Sequence, residues 1–206
     1  MEPIPENDWH AWSPSELFAR IEKFNRGWYV VGGWALDIWR GHQTRPHEDL
    51  EFCVIPDHIE HCRERLSDLE FFSVADEKLV HLPSSEPAPV DLWQFWGADM
   101  AAGCWRVDMM VERGSREIWS YKRQPSIRLP RTAAIRMNAD GISYLAPALV
   151  LLFKAKYMRQ KDIVDFSCHA PNLKVQEIVD LMRWLDETHP GHGWIASLGE
   201  ILRNKK

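Results

Sequence analysis

Two apolar rhythms divide the chain. In "SPSELFARIEKFN", residues 13–25, Leu17, Phe18, Ile21 and Phe24 fall on one helical stripe. Ser13 stands at the N-cap, Pro14 at the first helical position and Glu16 three residues past the cap, which predicts a helix start. "WYVV" (28–31) predicts a short buried strand stopped by Gly32-Gly33, and "WALDIWR" (34–40) a short helix closed by Gly41. "DLEFCVI" (49–55) alternates as a strand up to Pro56, and "PDHIEHCRERLSDL" (56–69) predicts a surface helix. As far as residue 121 the pattern is then strand-like: "FFSVA", "KLVHL", "VDLWQFW", "WRVDMMVE" and "EIWSYK", parted by Pro, Ser and Gly clusters. After "GISYLAP" the helical period takes over in "ALVLLFKAKYM", "KDIVDFSCH", "KVQEIVDLMRWLDETH" and "GWIASLGEILRN".

The change of period near residue 140 predicts an α+β fold. A mixed, mainly antiparallel sheet flanked by helices is expected over residues 1–140. A helical C-terminal part, residues 141–206, is expected to close one side of a cleft. No internal repeat or low-complexity tract is visible.

Composition changes this picture little. Hydrophobic residues make up 45% and charged residues 27% of the 206, ordinary values for a globular chain. No apolar run approaches the roughly 18 residues of a membrane span, and "MEPIPENDWHAW" is acidic and polar where a signal peptide is basic and then apolar. A cytoplasmic protein is the expectation, with the scattered Cys53, Cys62, Cys104 and Cys168 as reduced thiols. The net charge of −5 speaks against nucleic acid as a partner. Basic residues nevertheless gather at 113–136 and 154–161, enough for a local cationic wall against a small anion.

Candidate chemistry centres on "HEDLEF". Residues two apart on a strand project to one side, so Asp49 and Glu51 are expected to converge while Leu50, Phe52 and Val54 face the core. Carboxylates so placed repel unless a proton or cation intervenes, and hard divalent cations such as Mg²⁺ suit oxygen ligands. A third carboxylate is expected from a neighbouring strand, with Asp108 in "WRVDMMVE" and Asp91 in "PVDLWQF" as the alternatives. Such a cluster can hold two ions about 3.5 to 4 Å apart. Gly32-Gly33, between strand and helix, would let an anion approach backbone N–H groups. The rival reading of Asp49 and Glu51 is a solvated edge strand. Arg45 could pair with Glu48 alone, and His47 could be a turn histidine. Lys161, Asp162 and Asp165 could form salt bridges on one helix face. Lys154 and Lys156 read as solvated, His58, His61 and Cys62 as a wet helix face rather than a zinc site, and His189 and His192 as cap and turn residues.

With these residues in view, "GGWALDIWRGHQTRPHEDLEF" resembles the signature of the polymerase-beta-like nucleotidyltransferase superfamily, a Gly-Gly followed by an acid-x-acid pair. The fuller string resembles the aminoglycoside and lincosamide nucleotidyltransferase branch, and the likeness extends to "WRVDMMVE", "YLAPALVLLFKAKYMRQKDIVDF" and "HPGHGW". The resemblance implies transfer of a nucleoside monophosphate, usually AMP from ATP, to a hydroxyl of a small acceptor such as an aminoglycoside or lincosamide, with release of pyrophosphate. It implies two Mg²⁺ held by Asp49, Glu51 and Asp108. Gly32, Gly33 and Lys161 would bind the nucleotide, and Arg45 and His47 would contact phosphate or brace the carboxylates; the acceptor hydroxyl needs a base, for which Asp165 and Asp91 are the candidates. Three positions depart from the branch: Glu51 stands where Asp is more frequent, Ala148 where an acid is expected, and Gly193 where proline is usual. The Glu51 and Ala148 departures keep open a non-catalytic, antitoxin-like module that binds nucleotide or a partner protein, and a metal-dependent phosphohydrolase using the same carboxylates is a third reading.

Overall fold

The computed structural model describes residues 4–21, 27–75 and 78–205. Helix α1 (Pro14–Ile21) starts as its pattern predicts, with the Ser13 hydroxyl accepting from Glu16 N–H while the Glu16 carboxylate accepts from Ser13 N–H. The rest of the expected helix, residues 22–25, lies outside the described residues. Strand β1 (Trp28–Val30) leads into α2 (Gly32–Arg40), which ends at Gly41 in the left-handed conformation, φ 75°. Then follow β2 (Glu51–Val54), α3 (Ile59–Arg65), β3 (Glu70–Ala75), β4 (Lys78–Leu82), β5 (Gln94–Asp99) and β6 (Cys104–Val111). A two-stranded ribbon of β7 (Ile118–Ser120) and β8 (Arg128–Pro130) and the one-turn α4 (Arg131–Ala134) precede β9 (Ile135–Met137) and β10 (Ser143–Leu145). Helices α5 (Pro147–Lys154), α6 (Gln160–His169), α7 (Val175–Thr188) and α8 (Gly193–Asn204) complete the chain.

The main sheet has the order β4-β3-β5-β6-β2-β1-β10-β9. Only β1/β10 and β2/β6 pair in parallel, so the sheet is mixed and mainly antiparallel, as the sequence predicts. Leu50, Phe52, Val54, Val107 and Met109 are buried against Leu17, Ile21 and Leu36, which places the core between one sheet face and its helices. The sheet continues past residue 140, because "SYL" adds β10 beside β1, and the all-helical stretch begins at Pro147. That strand is three residues long, too short for its alternation to register in the sequence.

Two predicted elements shift in ways that matter for the site. Helix α2 begins at Gly32 itself rather than at Trp34, with Gly32 at φ 63°. Strand β2 begins at Glu51 and leaves Asp49 in the loop ahead of it. The causes are linked: Val31 N–H donates to Glu51 O at 3.0 Å and β1 then turns into α2, so no neighbour remains on that side to extend the ladder to Asp49.

A candidate active site at the β2/β6 pairing

Parallel pairing sets Glu51 directly beside Asp108 and Phe52 beside Met109. Neighbouring strands lie about 4.8 Å apart, so the first two carboxylates emerge side by side on one face. Asp49 approaches from the loop, and its charge acts on both. Burial, then the neighbouring Asp49 carboxylate, push Glu51 above the ordinary carboxyl range, against the opposing fields of Lys154, Lys161 and Arg159. Burial, then Glu51, push Asp108 well above that range, opposed by a hydrogen bond from Gln94. Of the two candidates for third carboxylate, Asp108 therefore joins the pair. Asp91 stands on an exposed turn before β5, because the expected strand "VDLWQFW" starts only at Gln94.

The donor set suits a hard cation. Asp108 is 6% exposed, and its Oδ1 is buried with no hydrogen-bond partner among the described residues. No ion pair engages Asp49, Glu51 or Asp108 among the described residues, although cations stand nearby. An orphaned carboxylate oxygen beside two further acids is costly on its own and fits a divalent ion. Among the described residues no group of three or more His, Cys, Asp or Glu side chains stands close enough together to hold a metal ion as it is.

Glycine is required at the turn above these acids. A methyl group on Gly32 would overlap Glu51 Oε2, and one on Gly33 would stand 2.5 Å from Arg45 Nη2. The space over the start of α2 is thus walled by Glu51, Arg45 and His47. His47 is a brace: its Nε2 bonds Asp37 Oδ2, and its ring lies 4.4 Å from that of Trp34, centroid to centroid. Burial works against the charge on Asp37, but the bonds from His47 and Thr44 outweigh it and hold its pKa below the usual value. Asp37, the lone acid in an apolar helix, is a site residue that sequence reasoning missed.

The basic residues are arranged differently from expectation. Arg45 pairs with Asp165, not with Glu48, through two bonds of 2.8 and 2.9 Å. Lys154, expected in solvent, is 7% exposed and bridges Asp165 at 2.7 Å and Asp162 at 3.2 Å. It is buried because α6 packs its acidic face against the end of α5, where Asp162 and Asp165 both take its charge besides that of Arg159 and Arg45. Asp162 also closes the start of α6 by accepting from Arg159 N–H. Among the described residues Lys161 holds an exposed contact with Glu48 at 3.3 Å. Asp165 as a base is corrected: it is saturated by two cations and held below the usual carboxyl range, burial opposing and Arg45 and Lys154 prevailing.

A cleft of about 340 Å³ opens from Gly32 and Glu51 across the sheet face to β7, roofed by Phe153, Lys154, Tyr157 and Arg159. Arg113, Lys122 and Arg123 line it too, so both basic stretches of the sequence contribute to one wall. Its inner acid, Glu112, is neutralised by Arg131 at 2.7 and 2.9 Å and accepts from Tyr29. Ala148, the departure from the expected acid, is buried in the first turn of α5. Gly193 opens α8, capped by His192, whose Nδ1 accepts from Trp194 N–H, in agreement with the expected cap role. Cys62 is fully buried, its thiol pushed up to about 12 by burial, and so lies off the wet helix face on which the sequence placed it.

A mixed sheet with paired acids at the start of β2 and a glycine turn opposite them defines a nucleotidyltransferase fold. The solution structure of the antibiotic-resistance factor ANT(2'')-Ia shares it, with a TM-score of 0.52 and 13% identity over 93% of each chain. A crystal structure of ANT(2'')-Ia in complex with adenylyl-2''-tobramycin aligns less closely, with a TM-score of 0.47 and 13% identity over 93% of this chain and 95% of that one. The sequence model of the family Aminoglycoside-2''-adenylyltransferase matches residues 15–114, which contain the glycine turn and Asp49, Glu51 and Asp108. No curated protein matches the chain. The chain is a nucleotidyltransferase-fold protein resembling the aminoglycoside adenylyltransferase branch.

Proposed function

We propose that this protein transfers a nucleoside monophosphate, AMP from ATP, to a hydroxyl of an aminoglycoside-class acceptor and releases pyrophosphate. The observation that carries the reading is the side-by-side placement of Glu51 and Asp108, with Asp49 in their field and one Asp108 oxygen unpartnered. The match of residues 15–114 to an adenylyltransferase family supports the donor and the acceptor class.

Asp49, Glu51 and Asp108 are the residues to hold Mg²⁺, which when bound supplies positive charge to the reacting phosphate and favours ionisation of an attacking hydroxyl. Gly32 and Gly33 admit the phosphates to the N–H groups at the start of α2. Arg159, Lys154 and Lys161 add positive field around Glu51. The remainder is positioning of two reactants in line at the α-phosphorus.

Mass spectrometry of an acceptor panel, incubated with each ribonucleoside triphosphate and Mg²⁺, tests this. A gain of one nucleoside monophosphate on an aminoglycoside is the expected result. Phosphate loss without an adenylylated product would turn the reading toward a phosphohydrolase, and an unchanged triphosphate toward a non-catalytic module.

A further inference from the structure

Gln94 Nε2 donates to Asp108 Oδ2 at 2.7 Å, and the Trp96 indole also bears on this carboxylate and favours its charge. The register explains the reach. Trp96 lies directly opposite Asp108 and Gln94 opposite Met110, so Gln94 is the diagonal neighbour of Asp108. Diagonal partners stand about 7 to 8 Å apart, a span for a long side chain. An ionised carboxylate only accepts, so the amide must turn its NH₂ toward Asp108. Gln94 also lines the cleft. Trp96, packed 5.0 Å from Trp9 and 5.3 Å from Trp105 between centroids, fills the position across from Asp108 and limits its movement.

One Asp108 oxygen is thereby occupied and the other left open. We propose that Gln94 is a positioning residue that confines Asp108 to a single donor oxygen and so selects a small octahedral cation, Mg²⁺ or Mn²⁺, over Ca²⁺. Mg²⁺ demands near-octahedral geometry with few carboxylate contacts, whereas Ca²⁺ takes six to eight oxygens and accepts both oxygens of one carboxylate. The inference rests on the reading of Asp49, Glu51 and Asp108 as metal ligands.

Titration calorimetry of the full chain with Mg²⁺ and with Ca²⁺, beside a non-hydrolysable ATP analogue, reads the selectivity without turnover. In Gln94→Met the Mg²⁺ affinity should fall about tenfold, the effect typical of losing an outer-shell partner, while Ca²⁺ affinity holds or rises. In Gln94→Glu, which keeps the length and adds oxygens, the Mg²⁺-to-Ca²⁺ ratio should narrow as well, so a poorly folded Met variant does not end the test. Equal losses for both cations, or none, overturn the proposal. If the unaltered protein binds neither cation, the carboxylate site itself is wrong and the proposed function falls with it.

Discussion

Arg45 and Asp165 meet in a two-pronged ion pair, Nε to Oδ1 at 2.8 Å and Nη2 to Oδ2 at 2.9 Å, across the gap between the loop before β2 and helix α6. Lys154 closes on the same carboxylate from α5 at 2.7 Å. The Asp165 side chain is 2% exposed, so the helical part is locked to the loop before β2 through one buried anion. Arg45 in turn stands over Gly33. The position of the glycine turn thus depends on a residue far along the chain.

Removing that anion should be expensive. Asp165→Ala leaves Arg45 and Lys154 short of a partner, and stability should fall by about 3 to 5 kcal/mol, the usual result of breaking a buried pair from one side. The pH dependence follows from the lowered pKa of Asp165. Its contribution is full above the unfolded value of about 3.9 and is lost as pH falls through the lower folded value. Urea unfolding at pH 7 and at about pH 3 should show the gap between the unaltered protein and Asp165→Asn shrinking in acid. A gap independent of pH would rule out the ionised pair as its source.

The carboxylates at the β2/β6 pairing predict the opposite balance of stability and activity. Glu51→Gln and Asp108→Asn each remove a negative charge from a site where burial and neighbouring acids already oppose ionisation. Without added metal these variants should melt no lower than the parent, while pyrophosphate release falls by roughly 10²-fold or more. Asp49→Asn should lose activity similarly. Retention of full activity by Asp108→Asn would return the third position to Asp91.

How much of this was legible beforehand depends on the range of each interaction. The capped start of α1, the Gly41 stop and the acid pair are local patterns, and the chain shows them directly. The pairing of Glu51 with Asp108 is not local, yet an isolated acid in the apolar run "VDMMV" was enough to suggest it. Lys154 was misread because its burial depends on Asp162 and Asp165 arriving from another helix. Gln94 left no signal, since a glutamine's partner is decided by cross-strand register. Asp37 did leave one, an acid on the buried side of "WALDIWR".

His192 offers a test of the helical part alone. Its Nδ1 caps α8 by accepting from Trp194 N–H at 3.1 Å, and its Nε2 stands 3.1 Å from Ala155 O. The acceptor role of Nδ1 puts the ring proton on Nε2, directed at that carbonyl. His192→Ala should cost about 1 kcal/mol, as loss of a helix cap does, and leave Mg²⁺ affinity unchanged. Thermal melting with metal titration separates the two effects, and a matching loss of metal binding would contradict the assignment.

The two positive-φ glycines that bracket α2 separate backbone strain from site geometry. Gly32 has φ 63° and Gly41 φ 75°, so alanine at either position carries the left-handed penalty of about 1 to 2 kcal/mol. Only Gly32 has a neighbour to disturb: its added methyl would overlap Glu51 Oε2, whereas nothing lies within 4 Å of one on Gly41. Gly32→Ala and Gly41→Ala should therefore lose comparable stability in urea unfolding, yet nucleotidyl transfer should collapse only in the first. The Glu51 carboxylate must then move or the turn must open, and either displaces the acid from its place beside Asp108. Equal activity losses would mean that α2 matters only as a rigid element, and that the closeness of Gly32 to Glu51 has no part in binding the triphosphate.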